Sequence, residues 1–158
     1  MPEQPSQSEV RASLVKYAAF CLSRRPYFED SIRQKLVLRS QKLKFKDTTR
    51  VISDILSDLK KSGYLDDAYL AAAFVRRQLS KCYGPKIITL KLGRMNLDKD
   101  AITTALEEAS IDKQLEVIKK YAQKYPNFDK YKLKSKLYSR GFTSSAINML
   151  FDYECFED

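Results

Sequence analysis

The sequence predicts an all-α fold, a tandem array of three three-helix repeats that forms an elongated, curved body. The 158-residue chain has only 4 glycines and 5 prolines, too few for the tight turns of a β-rich protein. No segment sustains the alternation of polar and apolar residues that is typical of a strand. A short pattern centred on Lys-Leu occurs three times, at spacings of 56 and 45 residues, and such spacings are typical of helical repeats.

Each copy of the pattern has the periodicity of an amphipathic helix. An apolar residue precedes the leucine of Lys-Leu by one helical turn, and an aromatic residue lies five positions before that. The aromatic, apolar and Lys-Leu positions are Tyr27, Ile32 and Lys35-Leu36; Tyr83, Ile88 and Lys91-Leu92; and Phe128, Leu133 and Lys136-Leu137. The first copy is longer than the others because of a basic segment, Gln-Lys-Leu-Lys-Phe-Lys, at 41–46.

The elements follow from these patterns and from helix-capping signals. We expect helices over 9–24, 30–40 and 48–62, then 67–80, 85–95 and 99–109, then 113–124, 130–139 and 144–152. Asp66, Asp98 and Thr143 each follow an apolar residue as N-cap candidates, and Gly63 and Gly141 fall where a helix ends in a left-handed residue. The predicted organisation is a disordered lead-in at 1–8, repeats at 9–62, 63–110 and 111–158, and an acidic tail within the last repeat.

No set of catalytic or metal-binding residues stands out. Histidine is absent and the 3 cysteines form no CxxC pair, so the commonest general base and the usual zinc spacings are missing. Gly84-Pro85-Lys86 lacks the spacing of a phosphate-binding loop, and Pro85 is expected to begin a helix. Asp66-Asp67 is interpreted as a helix start rather than a metal pair. The sequence therefore predicts no enzyme, no cofactor and no small-molecule substrate, and most aromatic residues are expected in the core.

The charge distribution favours a polyanionic partner. The formal net charge is +9, and three segments are strongly basic: 33–61 with nine Lys or Arg against three Asp, 76–99 with seven against one, and 119–140 with eight against one. A solvated basic surface is the ordinary explanation of such runs, but here they recur with the repeats. The sequence has no long apolar stretch and no signal-like N-terminus, so we expect a cytoplasmic protein without membrane contact.

The central segment resembles the signature of the bacterial RecX family of regulatory proteins. The resemblance lies in Gly63-Tyr64-Leu65-Asp66-Asp67-x-Tyr69-x4-Phe74-Val75-Arg76 followed by Tyr83-Gly84-Pro85-Lys86-Ile87. The flanks, Arg24-Arg25-Pro26-Tyr27 and Lys136-Leu137-x-x-Arg140-Gly141-Phe142, are similar to other repeats of that family. Cys82 and the 41–46 segment depart from the family pattern, and so does Asn96, which can adopt a left-handed cap.

The resemblance implies a tandem array of three-helix repeats that binds the RecA recombinase filament and inhibits its ATPase, strand-exchange and coprotease activities. We expect a protein that acts as a monomer, with nonspecific contacts to single- or double-stranded DNA. The candidate contact residues are basic: Arg76, Arg77, Lys86, Lys91, Arg94, Lys35, Arg39, Lys136 and Arg140. Of these, Lys86 and Lys91 are expected to face outward. The alternative is a stand-alone DNA-binding protein of helix-turn-helix type.

Overall fold

The computed structural model of the protein describes residues 5–153, and this part of the chain is helical with short connections. Within it the helices are α1 Gln7–Leu22, α2 Glu29–Lys42, α3 Thr49–Lys61, α4 Asp67–Ser80, α5 Pro85–Gly93, α6 Lys99–Leu106, α7 Ile111–Lys124, α8 Lys130–Ser139 and α9 Ser144–Tyr153, with a 3₁₀ turn, Glu107–Ala109, after α6. No strand occurs among the described residues. The all-α prediction is confirmed, and the helix order is compatible with three repeats.

Helix ends lie within three residues of the predicted ones. The largest difference is at α6, which stops at Leu106 and continues as the 3₁₀ turn. Helix α1 begins two residues earlier than expected because Ser6 and Glu9 form a capping box, in which the Glu9 N–H donates to Ser6 Oγ and the Ser6 N–H donates to Glu9 Oε2. The hydrogen bonds that Ser6 N–H and Ser6 Oγ donate to the Glu9 carboxylate lower its pKa. Of the predicted lead-in, residues 1–4 lie outside the described residues, as do residues 154–158 of the acidic tail.

Several helices end in a left-handed residue. Gly63 and Gly141 have φ of 76° and 84°, which confirms their predicted positions after α3 and α8. Cys82 and Asn96 adopt the same conformation without being glycine, with φ of 59° and 52°. The next N–H in the chain then returns to the helix, as when Tyr83 N donates to Gln78 O at 3.1 Å.

The predicted N-caps differ in their chemistry. Asp66 Oδ1 accepts a hydrogen bond from Tyr69 N at 2.9 Å, and Thr143 Oγ1 accepts one from Ala146 N at 3.3 Å. Asp98 occupies the N-cap position of α6, but its side chain makes no capping hydrogen bond. The expectation of a side-chain cap was therefore wrong at Asp98, although the helix starts where it was predicted.

The chain divides into two compact units between Leu70 and Ala71. In the first unit α1, α2 and α3 pack around a core that includes Leu14, Ile32 and Leu36. In the second unit a core that includes Ile118 and Leu137 forms among α7, α8 and α9. The leucines of all three Lys-Leu pairs are fully buried, so the repeated pattern marks the core-facing stripe of α2, α5 and α8. No helix in residues 5–153 is long and apolar enough to cross a membrane.

Candidate partner-binding surface

The turn before α5 is fixed by contact with the turn after α8. Gly84 N donates to Arg140 O at 2.8 Å, and Lys86 N donates to Gly141 O at 3.0 Å. Gly84 is buried, and a Cβ built on it would overlap the backbone of Gly141 and Phe142. Pro85 occupies the first turn of α5, where its missing N–H removes no helical hydrogen bond. The glycine is therefore required for close backbone approach, and the prediction that Pro85 begins a helix is confirmed.

Two of the predicted contact residues, Lys91 and Arg140, are held by intramolecular contacts around Tyr83. The Lys91 ammonium lies 3.8 Å from the centroid of the Tyr83 ring and donates to Gln78 Oε1 at 2.7 Å. The Arg140 guanidinium lies 5.6 Å from the same ring and 4.9 Å from the ring of Tyr121.

Arg140 also donates from Nη1 to the carbonyls of Lys81 and Cys82, at 3.3 and 3.2 Å. These carbonyls follow the end of α4, where a cation is favourable. Lys91 thus does not face outward as expected, because a buried glutamine and an aromatic face provide it with partners.

The outer face of α5 is formed by Lys86 and Leu90 on the helix and by Arg94 at its C-cap. These three residues recur every four positions and are all exposed. Leu90 is 63% exposed, whereas Ile88 and Leu92 on the opposite side are fully buried. Neither Lys86 nor Arg94 forms an ion pair with any described carboxylate. This face therefore offers an apolar side chain between two unpaired cations.

The remaining cations of α4 have different surroundings. Arg76 pairs with Glu108 across 2.8 Å, at the edge of an open cleft of about 400 Å³ between α4 and α7. Arg77 is exposed, with its guanidinium 5.7 Å from the Phe74 ring centroid. Within the same cleft Glu116 pairs with Lys113 and Lys120, and the hydrogen bond from Lys120 is the main cause of its lowered pKa. Because the charges of the cleft largely neutralise one another, it offers little to an anion.

In the first unit the predicted cations lie beside aromatic rings. The ammonium of Lys35 is 5.2 Å from the Tyr27 centroid, and the guanidinium of Arg39 is 5.3 Å from the Tyr17 centroid. Arg39 Nε is buried without a hydrogen-bond acceptor. In the first two copies of the sequence pattern, the lysine of Lys-Leu thus lies over the aromatic residue of its own copy.

On α8 the predicted Lys136 is exposed and forms no ion pair among the described residues. Tyr131 of the same helix is 85% exposed, and Tyr138 lies seven residues later on the same face. Tyr64 and Tyr69 of the central signature are also largely exposed. The expectation that most aromatic residues are buried missed these four tyrosines. These tyrosines do not fall at the buried apolar positions of the helical pattern, and this feature of the sequence could have indicated their exposure.

The adjacent aspartates Asp66 and Asp67 both accept hydrogen bonds from backbone N–H groups at helix starts. Asp67 Oδ1 accepts from Glu29 N at 2.8 Å, at the start of α2, and Asp66 caps α4. Burial is the main cause of the raised pKa of Asp67, and the hydrogen bond from Glu29 N opposes it. Within residues 5–153 no three Cys, Asp or Glu side chains are grouped so that they could hold a metal ion.

Known proteins similar to this chain share its fold and parts of its sequence. No protein-family model matches it. The regulatory protein RecX of Thermotoga maritima is 33% identical over 137 residues, which cover 84% of this chain and 79% of the relative. RecX of Pectobacterium atrosepticum is 29% identical over 87% of this chain and 94% of its own length. In RecX of Oceanobacillus iheyensis, 32% identical over 108 residues, the matched region spans only 40% of the relative.

Two crystal structures have the same fold. RecX from Lactobacillus salivarius superposes with a TM-score of 0.76, at 22% identity, over 92% of this chain and 97% of the other. A second structure of regulatory protein RecX gives a TM-score of 0.72 at 25% identity, over 92% of this chain and 74% of the other. Because sequence identity and fold agree over most of its length, this chain belongs to the RecX family of regulatory proteins.

Proposed function

We propose that this protein binds the RecA recombinase in its filament on DNA and inhibits its ATPase, strand-exchange and coprotease activities. In this proposal it acts in the cytoplasm, as a monomer, without catalysing a reaction of its own. The proposal is supported by membership of the family and by the basic surface of the second unit. The observation that carries it at residue level is the outer face of α5, with Leu90 between Lys86 and Arg94.

An exposed leucine between two cations suits a protein partner better than a bare phosphate backbone. Interfaces between proteins depend on a few apolar or aromatic anchors that fill pockets, with charges at the rim that steer association. A phosphate backbone has no pocket for a leucine and is bound by cations and hydrogen-bond donors. We therefore assign Lys86, Leu90 and Arg94 to contact with RecA, and we add Arg77 as a further exposed cation of the same unit.

The test separates the apolar anchor from the charges. Leu90→Ala should raise the concentration needed for half-inhibition of RecA ATPase roughly tenfold, which corresponds to about 1.4 kcal/mol of binding energy. Its affinity for DNA alone should be unchanged. Leu38→Ala is the matched control, because Leu38 is a similarly exposed leucine, 58% accessible, on α2 of the first unit.

Charge reversal at Arg77, Lys86 and Arg94 together should abolish inhibition while the helical circular dichroism signal stays unchanged. Lys91 and Arg140 are left out of this variant because both have intramolecular partners. Unaltered inhibition by both the leucine and the charge variants would remove the α5 face from the mechanism.

A stand-alone DNA-binding protein would behave differently in a salt titration without RecA. Sequence-specific, nanomolar binding to duplex DNA at physiological salt would favour that alternative. The N-terminal turn of α5, with Pro85, Lys86 and Ile87, lacks the Asn, Gln and Arg side chains that usually read base edges. Weak, nonspecific binding together with inhibition of RecA is the expected result.

A further inference from the structure

The connection between α2 and α3 is longer than its counterparts in the other repeats. From the leucine of Lys-Leu to the first isoleucine of the third helix, the first copy takes 16 positions, from Leu36 to Ile52, and the other two copies take 10 each. The six additional residues are Gln-Lys-Leu-Lys-Phe-Lys, here called the basic loop, at 41–46. Neither the fold of the repeat nor the α5 face requires this addition.

The basic loop comprises the last two residues of α2, Gln41 and Lys42, and the ordered turn that follows them. Phe45 packs against the core of the first unit, and its N–H donates to Ser40 O at 3.0 Å. Ser40 is buried, and its Oγ lies 3.2 Å from Thr48 Oγ1 on the far side of the loop. The loop is therefore fixed at its beginning by Ser40, in its interior by Phe45 and at its end by Thr48.

The anchored turn presents cations that have no internal partner. Lys42, Lys44 and Lys46 are all exposed, and none forms an ion pair within the part of the chain that the structure describes. Arg39 precedes them and Arg50 follows, whereas Asp47 is the only acidic residue from 39 to 50. Five like charges around one acid repel one another, and an external anion would relieve that repulsion.

Lys44 is also held in an unfavourable backbone conformation. Its φ is 56°, in the left-handed region. A residue with a side chain adopts this conformation at a free-energy cost of about 1–2 kcal/mol, whereas glycine adopts it freely. The side chain of Lys44 is exposed and contacts no described carboxylate, so the fold gains nothing evident from a lysine there. The conformation itself ends α2, because Lys44 N donates to Gln41 O and Phe45 N donates to Ser40 O, each at 3.0 Å, as in the left-handed end of α3 at Gly63. This helix end holds the exposed Lys44 in a fixed backbone position.

We propose that the basic loop binds the phosphodiester backbone of DNA, independently of the α5 face and of RecA. Lysine acts on phosphate as a mobile point charge and carries no base information. The aromatic residue of the loop, Phe45, is partly buried against the core, which leaves the lysines as the exposed contacts of the loop. The loop is therefore a sequence-independent contact with Lys42, Lys44 and Lys46 each neutralising a phosphate.

The experiment measures the DNA affinity of the full chain without RecA, by fluorescence anisotropy over a range of salt concentrations. The variant is K42Q/K44Q/K46Q, which removes three charges from exposed side chains. Loss of three phosphate contacts should reduce the slope of log affinity against log salt by about 2 on single-stranded DNA and about 2.7 on duplex DNA. The affinity at 0.1 M salt should fall roughly a hundredfold on a single strand.

The control is K16Q/K61Q/K99Q, which removes the same net charge from exposed lysines outside the loop. It should change the slope by less than ~0.5 on either DNA. Comparing the single-stranded and duplex arms shows which form of the backbone the loop engages. An equal loss of slope in the loop variant and the control would overturn the proposal, because general charge would then explain binding.

Inhibition of RecA ATPase is measured in parallel with the same variants. Loss of DNA affinity with retained inhibition supports the loop as a separate DNA contact. Retained DNA affinity with lost inhibition would instead make the loop a contact with an acidic protein surface and refute the proposal. If the wild-type chain fails to inhibit RecA yet binds DNA through the loop, the proposed function fails and the loop assignment stands.

Discussion

Replacing Gly84 by alanine places a methyl group where the backbone of the α8–α9 turn already lies. The new Cβ would overlap the carbonyl of Gly141 and the amide nitrogen of Phe142. Backbone atoms cannot rotate away as a long side chain can. The two turns must therefore separate by about 1 Å or more to reach ordinary van der Waals distance. Gly84 itself has φ of −86°, so the expected effect arises from this overlap and not from backbone strain.

The magnitude follows from what the separation breaks. The hydrogen bonds from Gly84 N to Arg140 O and from Lys86 N to Gly141 O, at 2.8 and 3.0 Å, would stretch beyond bonding range. Two such bonds contribute about 1 kcal/mol each, and overpacking costs about 1–3 kcal/mol more. We expect Gly84→Ala to lower the free energy of unfolding by about 3–5 kcal/mol, a large share of the stability of an ordinary domain.

Urea unfolding followed by far-UV circular dichroism measures this directly. With an m-value of about 1–2 kcal/mol per M, the midpoint of the affected transition should fall by roughly 2 M or more. Gly93→Ala is the matched control, because a Cβ at this last residue of α5 meets nothing within 4 Å. Alanine should stabilise that helix by about 0.5–1 kcal/mol. A loss of no more than about 1 kcal/mol in Gly84→Ala would refute the direct backbone contact.

Two further predictions concern the first unit. Because burial raises the pKa of Asp67 in the folded state, the folded protein binds a proton more tightly there, and stability falls as pH rises from the ordinary Asp value near ~3.9 through the raised one. Asp67→Asn keeps an acceptor for Glu29 N but cannot ionise. The free energy of unfolding of this variant relative to wild type should therefore increase as pH rises from the ordinary Asp pKa to the raised one, and then stay constant. The raised pKa of Asp67 would be contradicted if the stability difference between Asp67→Asn and wild type did not vary with pH. It would also be contradicted if Asp66→Asn showed the same pH dependence. Lys44→Gly should raise the free energy of unfolding by about 0.5–1 kcal/mol by relieving the left-handed strain while weakening DNA binding. A melting temperature below that of wild type would show that Lys44 stabilises the fold.

The sequence predicted the helices well because local chemistry determines them. Pro85 begins α5, and Gly63 and Gly141 end helices through their left-handed conformation, as expected. These residues act within one turn of their own position, so spacing alone reveals them. Asp98 shows the limit of that approach: its position at the start of α6 was predictable, but the absence of a capping hydrogen bond from its side chain was not.

The candidate surface was less predictable because long side chains respond to residues distant in sequence. Helical periodicity places Lys91 off the apolar stripe but does not reveal that Gln78 and Tyr83 lie within its reach. Likewise, Arg140 is a surface cation by pattern, whereas in the structure it binds carbonyls 58 and 59 residues earlier. Leu90 was overlooked because a leucine in an apolar run is ordinarily assigned to the core.

The contact between the α4–α5 and α8–α9 turns also limits how the chain can be shortened. A chain ending after α6 would leave the amides of Gly84 and Lys86 without their carbonyl acceptors, and the carbonyls of Lys81 and Cys82 without the guanidinium of Arg140. It would also expose the backbone of Gly84, which in the full chain packs directly against the backbone of Gly141 and Phe142. The segment from α7 to α9 thus covers the α4–α5 turn as an internal cap. Deletion of α7–α9 would therefore damage the α5 surface even if no residue of these helices touches a partner.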